Sequence, residues 1–400
     1  MNNFIRLSAV AVLVLPLLSM ADESKALTAS QMFENGKVSG NIRTMYAGYD
    51  YKRLAQDDIY STAIGGSLKY ELAELNGFNA AAAFTMSHDI GFATGDEGSK
   101  QNPELSSSEG KYTALSEAYL NYKYDSFNFR AGRQVIDTPL ADSDDIRMIP
   151  NTFEAYIATY EFSNFSFMAG RLQRWQGYDA ELDNGWVEAG EDGTWFGGAA
   201  YSDDMIEANA WYYNITKLTD AAYFDATLKY EISSDISTLA SAQYLNEREI
   251  SNSGTKATIY GAKTELSAYG ATLGVAYNRS NRKAGKESFS GFGGGTLFTS
   301  MDTMILNEIT YDRDAEALVG TIAYEVDKLT LTYAYGDFEG DADGAGDKAH
   351  IVEQNIGVGY NIIEDKFAVS AVYAVREDRE SSVKTDNDWS RFQLMVAYNF

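Results

Sequence analysis

The chain has 400 residues, no cysteine and a formal charge of −26, from 58 acidic and 32 basic residues. That length suits about two or three soluble domains, or one large barrel. The missing cysteine excludes disulfides and thiolate metal sites, and the acidic excess repels nucleic acid, so no nucleic-acid partner is expected. An acidic disordered chain is excluded as well, because aromatics reach 13% and hydrophobics 45%. Many Tyr and Gly with only 4 Pro suit long paired strands.

Residues 1–21 read as an export signal. Arg6 supplies the positive start, residues 7–18 the apolar stretch, and Ser19-Met20-Ala21 a small-residue cleavage site. The apolar run is shorter than the ~20 residues of a membrane-spanning helix. With no cysteine to follow it, a lipoprotein is excluded, and the mature chain is expected to begin at Asp22. Residues 22–36 form a short N-terminal periplasmic segment, and residues 37–400 form one structural unit. No later apolar run approaches ~18 residues, so no helix is expected to span a membrane.

From Lys37 onward, segments of about ten residues alternate between apolar and polar. Phe224, Ala226, Leu228 and Tyr230 share one face, and Asp225, Thr227, Lys229 and Glu231 the other. Phe367, Val369, Ala371, Tyr373 and Val375 repeat the pattern, as do Phe392, Leu394, Val396, Tyr398 and Phe400. A strand with one lipid face and one wet face must read this way. The connections alternate in length. Tight links fall at 73–76, 125–126, 163–164, 203–204, 233–235, 327–328 and 364–365. Long polar links fall at 88–110, 136–152, 176–193, 247–255, 280–314, 339–350 and 377–388. Short periplasmic turns and long extracellular loops mark a bacterial outer-membrane barrel. The fold class is therefore all-β, a transmembrane antiparallel β-barrel of about eighteen strands, in the size range that encloses an aqueous channel. Residues 301–309 look strand-like, but counting them makes the total odd, so they are assigned to the loop.

One repeat supports the hairpin unit. Phe127-Asn-Phe-Arg-Ala-Gly-Arg-Gln134 echoes Phe165-Ser-Phe-Met-Ala-Gly-Arg-Leu-Gln173, each after a tight turn. Phe400, an aromatic residue ending an amphipathic strand, resembles the signal by which the barrel-assembly machinery recognises its substrates.

The segment Gly132-Arg-Gln-Val-Ile-Asp-Thr-Pro-Leu-Ala-Asp-Ser-Asp-Asp-Ile-Arg-Met-Ile-Pro-Asn-Thr-Phe-Glu-Ala155 resembles the OprD-like family of substrate-specific outer-membrane porins, as do Gly40-Asn-Ile-Arg43 and Ala63-Ile-Gly-Gly-Ser-Leu-Lys-Tyr-Glu71. The resemblance implies an eighteen-stranded barrel narrowed by inward-folded loops, here 136–152 and 280–314. It also implies a wall of basic residues facing loop acids, and passage of small polar solutes such as amino acids or organic acids. On that basis the constriction loop carries Asp137, Asp142, Asp144, Asp145 and Arg147. The basic wall carries Arg43, Arg130, Arg133, Arg171, Arg174 and Arg391. Arg43, Arg130 and Arg391 take the lumen phase. Arg133 and Arg171 share a phase with the girdle aromatics, so either a bulge at Gly132 and Gly170 turns them inward or they stand above the lipid. On the closing strands only Arg376 and Arg391 are basic, so the ladder is incomplete there.

The expected activity is passive diffusion of ions and small solutes through a charged constriction in the outer membrane, with cation preference from the acid excess. Opposed charged walls would orient dipolar solutes. A structural or adhesive barrel with partner-binding loops is the alternative. The two histidines, His88 and His350, lie near loops without a serine or carboxylate constellation, which argues against a barrel hydrolase and any catalytic role. Asp341, Asp343 and Asp347 are weak candidates for Ca²⁺, lacking the closing Glu of an EF-hand; no other cofactor is expected. Gly291-Phe-Gly-Gly-Gly-Thr296 lacks the Lys and the strand–helix context of a phosphate loop and reads as a flexible loop segment. The alternation leaves monomer and homotrimer equally open, since subunit contacts would use the same apolar faces as lipid.

Overall fold

In a computed structural model, residues 25–53, 56–96 and 100–400 are described; the expected export signal, residues 1–21, lies outside them. A short helix, α1 (Ala29–Glu34), capped by the Thr28 side chain, precedes the strands. The strands are β1 (Lys37–Tyr51), β2 (Ile59–Glu71), β3 (Phe78–Asp89), β4 (Lys111–Tyr124), β5 (Phe127–Gln134), β6 (Thr152–Phe162) and β7 (Phe165–Gln176). There follow β8 (Val187–Glu188), β9 (Thr194–Ser202), β10 (Ile206–Ile215), β11 (Thr219–Ser233), β12 (Ile236–Glu249) and β13 (Ala257–Ala268). The last are β14 (Ala271–Ser280), β15 (Ala315–Val326), β16 (Leu329–Gly340), β17 (Ala349–Ile363), β18 (Phe367–Asp378) and β19 (Trp389–Asn399).

Each long strand pairs antiparallel with the next, and β1 pairs with both β2 and β19, from Asn41↔Asn399 to Tyr51↔Trp389. Eighteen strands therefore close on themselves, and the two-residue β8 is an extra piece on β7. Closure leaves no unpaired edge, which a hydrocarbon environment requires. Residues 301–309 hold no strand; Leu306–Ile309 form one 3₁₀ turn inside the loop.

Two-residue turns need left-handed backbone, and Asp125, Ser163 and Asp327 adopt it at φ 52°, 54° and 52°; Asp365 does so at 58° in the three-residue link 364–366. The turn at Tyr269-Gly270 does the same with Tyr269 at φ 51°, where the sequence has no Asn or Asp to announce it. Two connections on the loop side are brief, at 52–58 and 216–218, and also escape the pattern of long polar links.

The outward faces carry Leu68, Leu120, Leu228, Leu273, Leu318 and Ile356, all exposed, with Tyr124, Phe162, Tyr230, Tyr324 and Tyr360 toward the tight turns. This is an apolar band edged by an aromatic girdle. The inward faces are less simple. In their loop-side halves many strands are apolar inward as well: Phe153, Leu172, Trp175, Phe196, Tyr213, Ile215, Leu245, Ile259 and Phe338 are all buried. Leu140 from the 135–151 loop, and Phe292, Leu297, Met304, Leu306 and Ile309 from the 281–314 loop, pack onto them. Each such side chain, fully buried, contributes about 1.5–3 kcal/mol, so the loops are drawn into the barrel and held there.

The two loops also pair backbone to backbone. Phe292 N–H donates to Leu140 O at 2.9 Å and Asp142 N–H to Phe292 O at 3.1 Å, while the Thr296 hydroxyl donates to Pro139 O. The glycine run at 291–295 is thus a fitted joint, not the slack segment its composition suggests. At Gly293, φ is +88° and an added Cβ would lie 2.2 Å from Asn151 Nδ2 and 2.5 Å from Asp142 O. Gly293→Ala should therefore strain the joint by roughly 1–3 kcal/mol. Single-channel recordings of this variant are expected to show added open-channel noise while the heat-modifiable gel mobility of the barrel stays unchanged.

Candidate permeation constriction

The closing seam presents two inward rows: Arg43, Met45, Ala47 and Tyr49 on β1, and Arg391, Gln393, Met395 and Ala397 on β19. Tyr49 stands opposite Arg391 and Arg43 opposite Ala397, so the two arginines mark the upper and lower ends of one wall. Between them Met45, Ala47 and Met395 are covered by Leu105 of the 90–110 loop and by Met148 and Ile149 of the 135–151 loop. This small apolar contact brings both loops against the seam.

Charge completes the junction. The Glu104 carboxylate accepts from Arg147 Nη1 at 2.9 Å and from Arg391 Nη2, and both arginines are almost wholly buried. Arg391 Nη1 also donates to Asp302 of the 281–314 loop at 2.6 Å. At the lower end Arg43 grips Asp145 with two bonds, 2.5 and 2.9 Å, and donates to Arg147 O at 2.6 Å. The Tyr178 ring covers the Arg147 guanidinium at 4.0 Å, and the Tyr49 ring lies 5.5 Å from that of Arg391. Asn102 ties this loop to β1 and β2: its N–H donates to Ser61 Oγ at 3.0 Å, and its Nδ2 to Ala47 O at 3.3 Å. Burial alone would raise the Glu104 carboxyl, but the Arg391 and Arg147 guanidiniums outweigh it and hold it below the usual carboxylate range.

The loop acids play unequal parts. Asp145 meets Arg43, with its side chain still 46% exposed. Asp137 accepts from Ser143 N–H at 3.1 Å and Asp142 from Asp144 N–H at 2.7 Å, so both shape the loop's own turns. Asp144 takes a left-handed φ of 43°. Burial first, then Asp179, raise its carboxyl to about 7, with Arg147 opposing and Asp142 and Asp302 adding to the rise.

Arg130 points inward farther down the wall, its Nε 3.4 Å from Asn121 Oδ1 and its guanidinium 4.3 Å from the Tyr119 ring. Lys69 and Glu117 pair beside it at 3.0 Å. Below the 135–151 loop a cavity of about 320 Å³ is lined by Arg43, Lys69, Glu117, Asp137 and Asp145, with small residues such as Gly66, Ser67 and Thr85.

Three expected wall arginines lie elsewhere. No register shift occurs at Gly132 or Gly170; the one in this region falls between Glu154 and Ala155, opposite Gln173. Gly132 is there because a Cβ would meet Ala118 O at 2.2 Å. The inward phase passes through Arg130, Gly132 and Gln134, and through Leu172 and Trp175. Arg133, Arg171 and Arg174 consequently face outward, beside the exposed Tyr156 and Trp195. A charge facing mid-bilayer would cost roughly 2–4 kcal/mol; here Glu154 sits 2.7 Å from Arg174 and 3.9 Å from Arg133.

The calcium candidates do not converge. Asp343 accepts from Ala345 and Asp347 N–H at 2.8 and 3.0 Å and from Arg313 at 3.0 Å, so its oxygens are taken by its own loop and by the 281–314 loop. Among the described residues, the carboxylate and imidazole groups that do gather are Asp337, Glu339 and His350. His88 is exposed on β3.

Glu104, Asp302, Lys69, Glu117 and Tyr178 were absent from the sequence expectations. Lys69 and Glu117 were within reach, since both take the polar phase of a strand; Glu104 and Asp302 sit in long loops with no periodicity to mark them.

Residues 31–400 match the family described as outer membrane porin, OprD family. The chain belongs to the OprD family of outer-membrane porins. No curated protein matches it in sequence. Among solved structures it is similar to OccAB4 of Acinetobacter baumannii, at 16% identity and a TM-score of 0.78 over 91% of this chain and 98% of that one. It is similar to OpdQ of Pseudomonas aeruginosa, at 16% identity and a TM-score of 0.76 over 93% and 99%. OccK9 (OpdG) of the same organism gives 15% identity and a TM-score of 0.78 over 92% and 99%. The OprD-family barrel places this protein in the Gram-negative outer membrane as a porin for small solutes.

Asp144 offers a pH readout of the charge carried by the 135–151 loop. Its carboxyl, raised to about 7, is protonated below that pH and carries a negative charge above it. Cation preference should rise as pH goes from about 6 to about 8, measured as reversal potential under a KCl gradient. Asp144→Asn, which keeps the left-handed backbone accessible, should flatten that step.

Proposed function

We propose that this porin passes small solutes carrying both charge signs, without chemical conversion, and that the cavity beneath the 135–151 loop is where they are sorted. The observation that carries the reading is the mixed lining of that cavity, with Arg43 and Lys69 beside Asp137, Asp145 and Glu117. A zwitterionic amino acid can place its carboxylate toward Arg43 and Lys69 and its ammonium toward Asp145 and Asp137. Fixed charges of opposite sign, a few ångströms apart, orient such a dipole as it enters. An unpaired monoion gains at one wall what it loses at the other. A volume of about 320 Å³ is of the size that holds a small metabolite.

The upper seam supports selection by field and not by simple anion capture. Arg147 and Arg391 are already matched by Glu104 and Asp302, so they leave no bare cationic patch above the cavity. The solved OpdK complex contains vanillate, and a carboxylate of that kind would meet Arg43 and Lys69 here in competition with their partners Asp145 and Glu117. The overall acid excess adds a background preference for cations.

Liposome swelling compares solutes of one size directly. A neutral amino acid should enter several-fold faster than a sugar or a monocarboxylate of similar dimensions. Arg43→Ala with Asp145→Ala should bring the three rates together. Rates that follow size alone, in the wild type, would count against the reading, and absence of conductance would point to a structural barrel instead.

A further inference from the structure

The twin Phe-x-Phe-x-Ala-Gly-Arg repeat is left without a role inside the pore, because its arginines face out. Arg133 on β5 and Arg171 and Arg174 on β7 lie on one outer patch, with β6 between them. The patch has a defined floor and rim. The Trp186 ring stacks against the Arg133 guanidinium at 4.7 Å, and Trp195, directly opposite Arg171 on β9, stacks against Arg171 at 5.1 Å. Trp side chains mark the boundary between lipid tails and headgroups, so these guanidiniums reach headgroup level at the loop end of the barrel, their stems lying along the apolar wall.

The acids facing the patch are Glu154, which serves both Arg133 and Arg174, and Glu188, opposite Arg174 on β8. Arg171 donates to the Asp192 carbonyl rather than to a carboxylate. Three guanidiniums therefore share two nearby carboxylates, and each remains partly exposed. Arginine pairs bidentately with phosphate oxygens. The outer leaflet of a Gram-negative outer membrane is built of phosphorylated glycolipid, the anion that a basic patch at this height meets.

We propose that Arg133, Arg171 and Arg174, framed by Trp186 and Trp195, hold the phosphate of an outer-leaflet glycolipid headgroup. The site lies outside the lumen and is independent of the permeation reading.

The test uses the full-length barrel in detergent, with native mass spectrometry and a lipid-retention assay. The probes are bisphosphorylated lipid A, the same lipid after enzymatic dephosphorylation, and inorganic phosphate. The wild type should retain the phosphorylated lipid at least about tenfold more strongly than the dephosphorylated one. R133Q/R171Q/R174Q should lose that difference while keeping heat-modifiable mobility and wild-type conductance. The corresponding triple Lys variant should fall between them. Equal retention of both lipids by the wild type overturns the proposal without recourse to any variant. So does inorganic phosphate competing as well as the lipid does, which would make this a small-ion site. A triple Gln variant that keeps full lipid retention, or one that changes ion selectivity, overturns it too.

Discussion

The carboxylate of Glu104, shared by Arg147 and Arg391, is the contact on which the interior arrangement turns. It joins a loop from one hairpin, a second loop, and the last strand of the barrel. Two buried guanidiniums on one carboxylate leave a positive excess, which Asp302 offsets from a third loop. Ion pairs this buried add little net stability, since desolvation consumes most of their attraction, but breaking one is costly. Their role here is to specify geometry: the loops have one seat in which Glu104, Arg147, Arg391 and Asp302 match one another.

The energy that brings the loops to those seats comes from apolar packing. On many strands the inward face turns apolar near the loops, with buried polar side chains such as Gln243, Asn278 and Glu353 among them, so much of the upper lumen is a core. Leu140, Phe292, Met304 and Leu306 fill that core. The smaller cluster around Met45, Leu105 and Met148 fixes the seam side. The cavity lined by Arg43, Lys69 and Glu117 lies off-centre, against β1, β2 and β4. Among the described residues, the loops themselves fill the upper part of the barrel.

How much of this could be read from the sequence follows from what leaves a periodic trace. Strands with one lipid face alternate, so Phe224–Glu231 and Phe392–Phe400 disclosed the barrel, and turn residues such as Asp125 and Asp327 disclosed its hairpins. Strands whose inner face is covered by a loop alternate poorly: β10 reads Ala210-Trp-Tyr-Tyr-Asn-Ile215, apolar on both faces, and signals an interior core only once the loops are seen to dock there. The 135–151 loop drew notice through its family likeness, and the inward positions of Arg43 and Arg391 were legible through strand phase. Glu104 and Asp302 were not, because a residue in a long irregular loop meets its partner through tertiary folding alone. Arg133 and Arg171 show the reverse case. Their phase was plain in the repeat, and it pointed outward as the strands do, while the expectation of a pore wall pulled them inward.

The central claim is that Glu104 is the counter-charge that seats the loops against the seam. It is tested most directly by the reversal potential and single-channel conductance of Glu104→Gln beside the wild type under one KCl gradient. Removing the shared carboxylate leaves Arg147 and Arg391 short of one negative charge, so the account predicts a shift toward anions together with a noisier or larger conductance. An unchanged reversal potential and an unchanged conductance would contradict it.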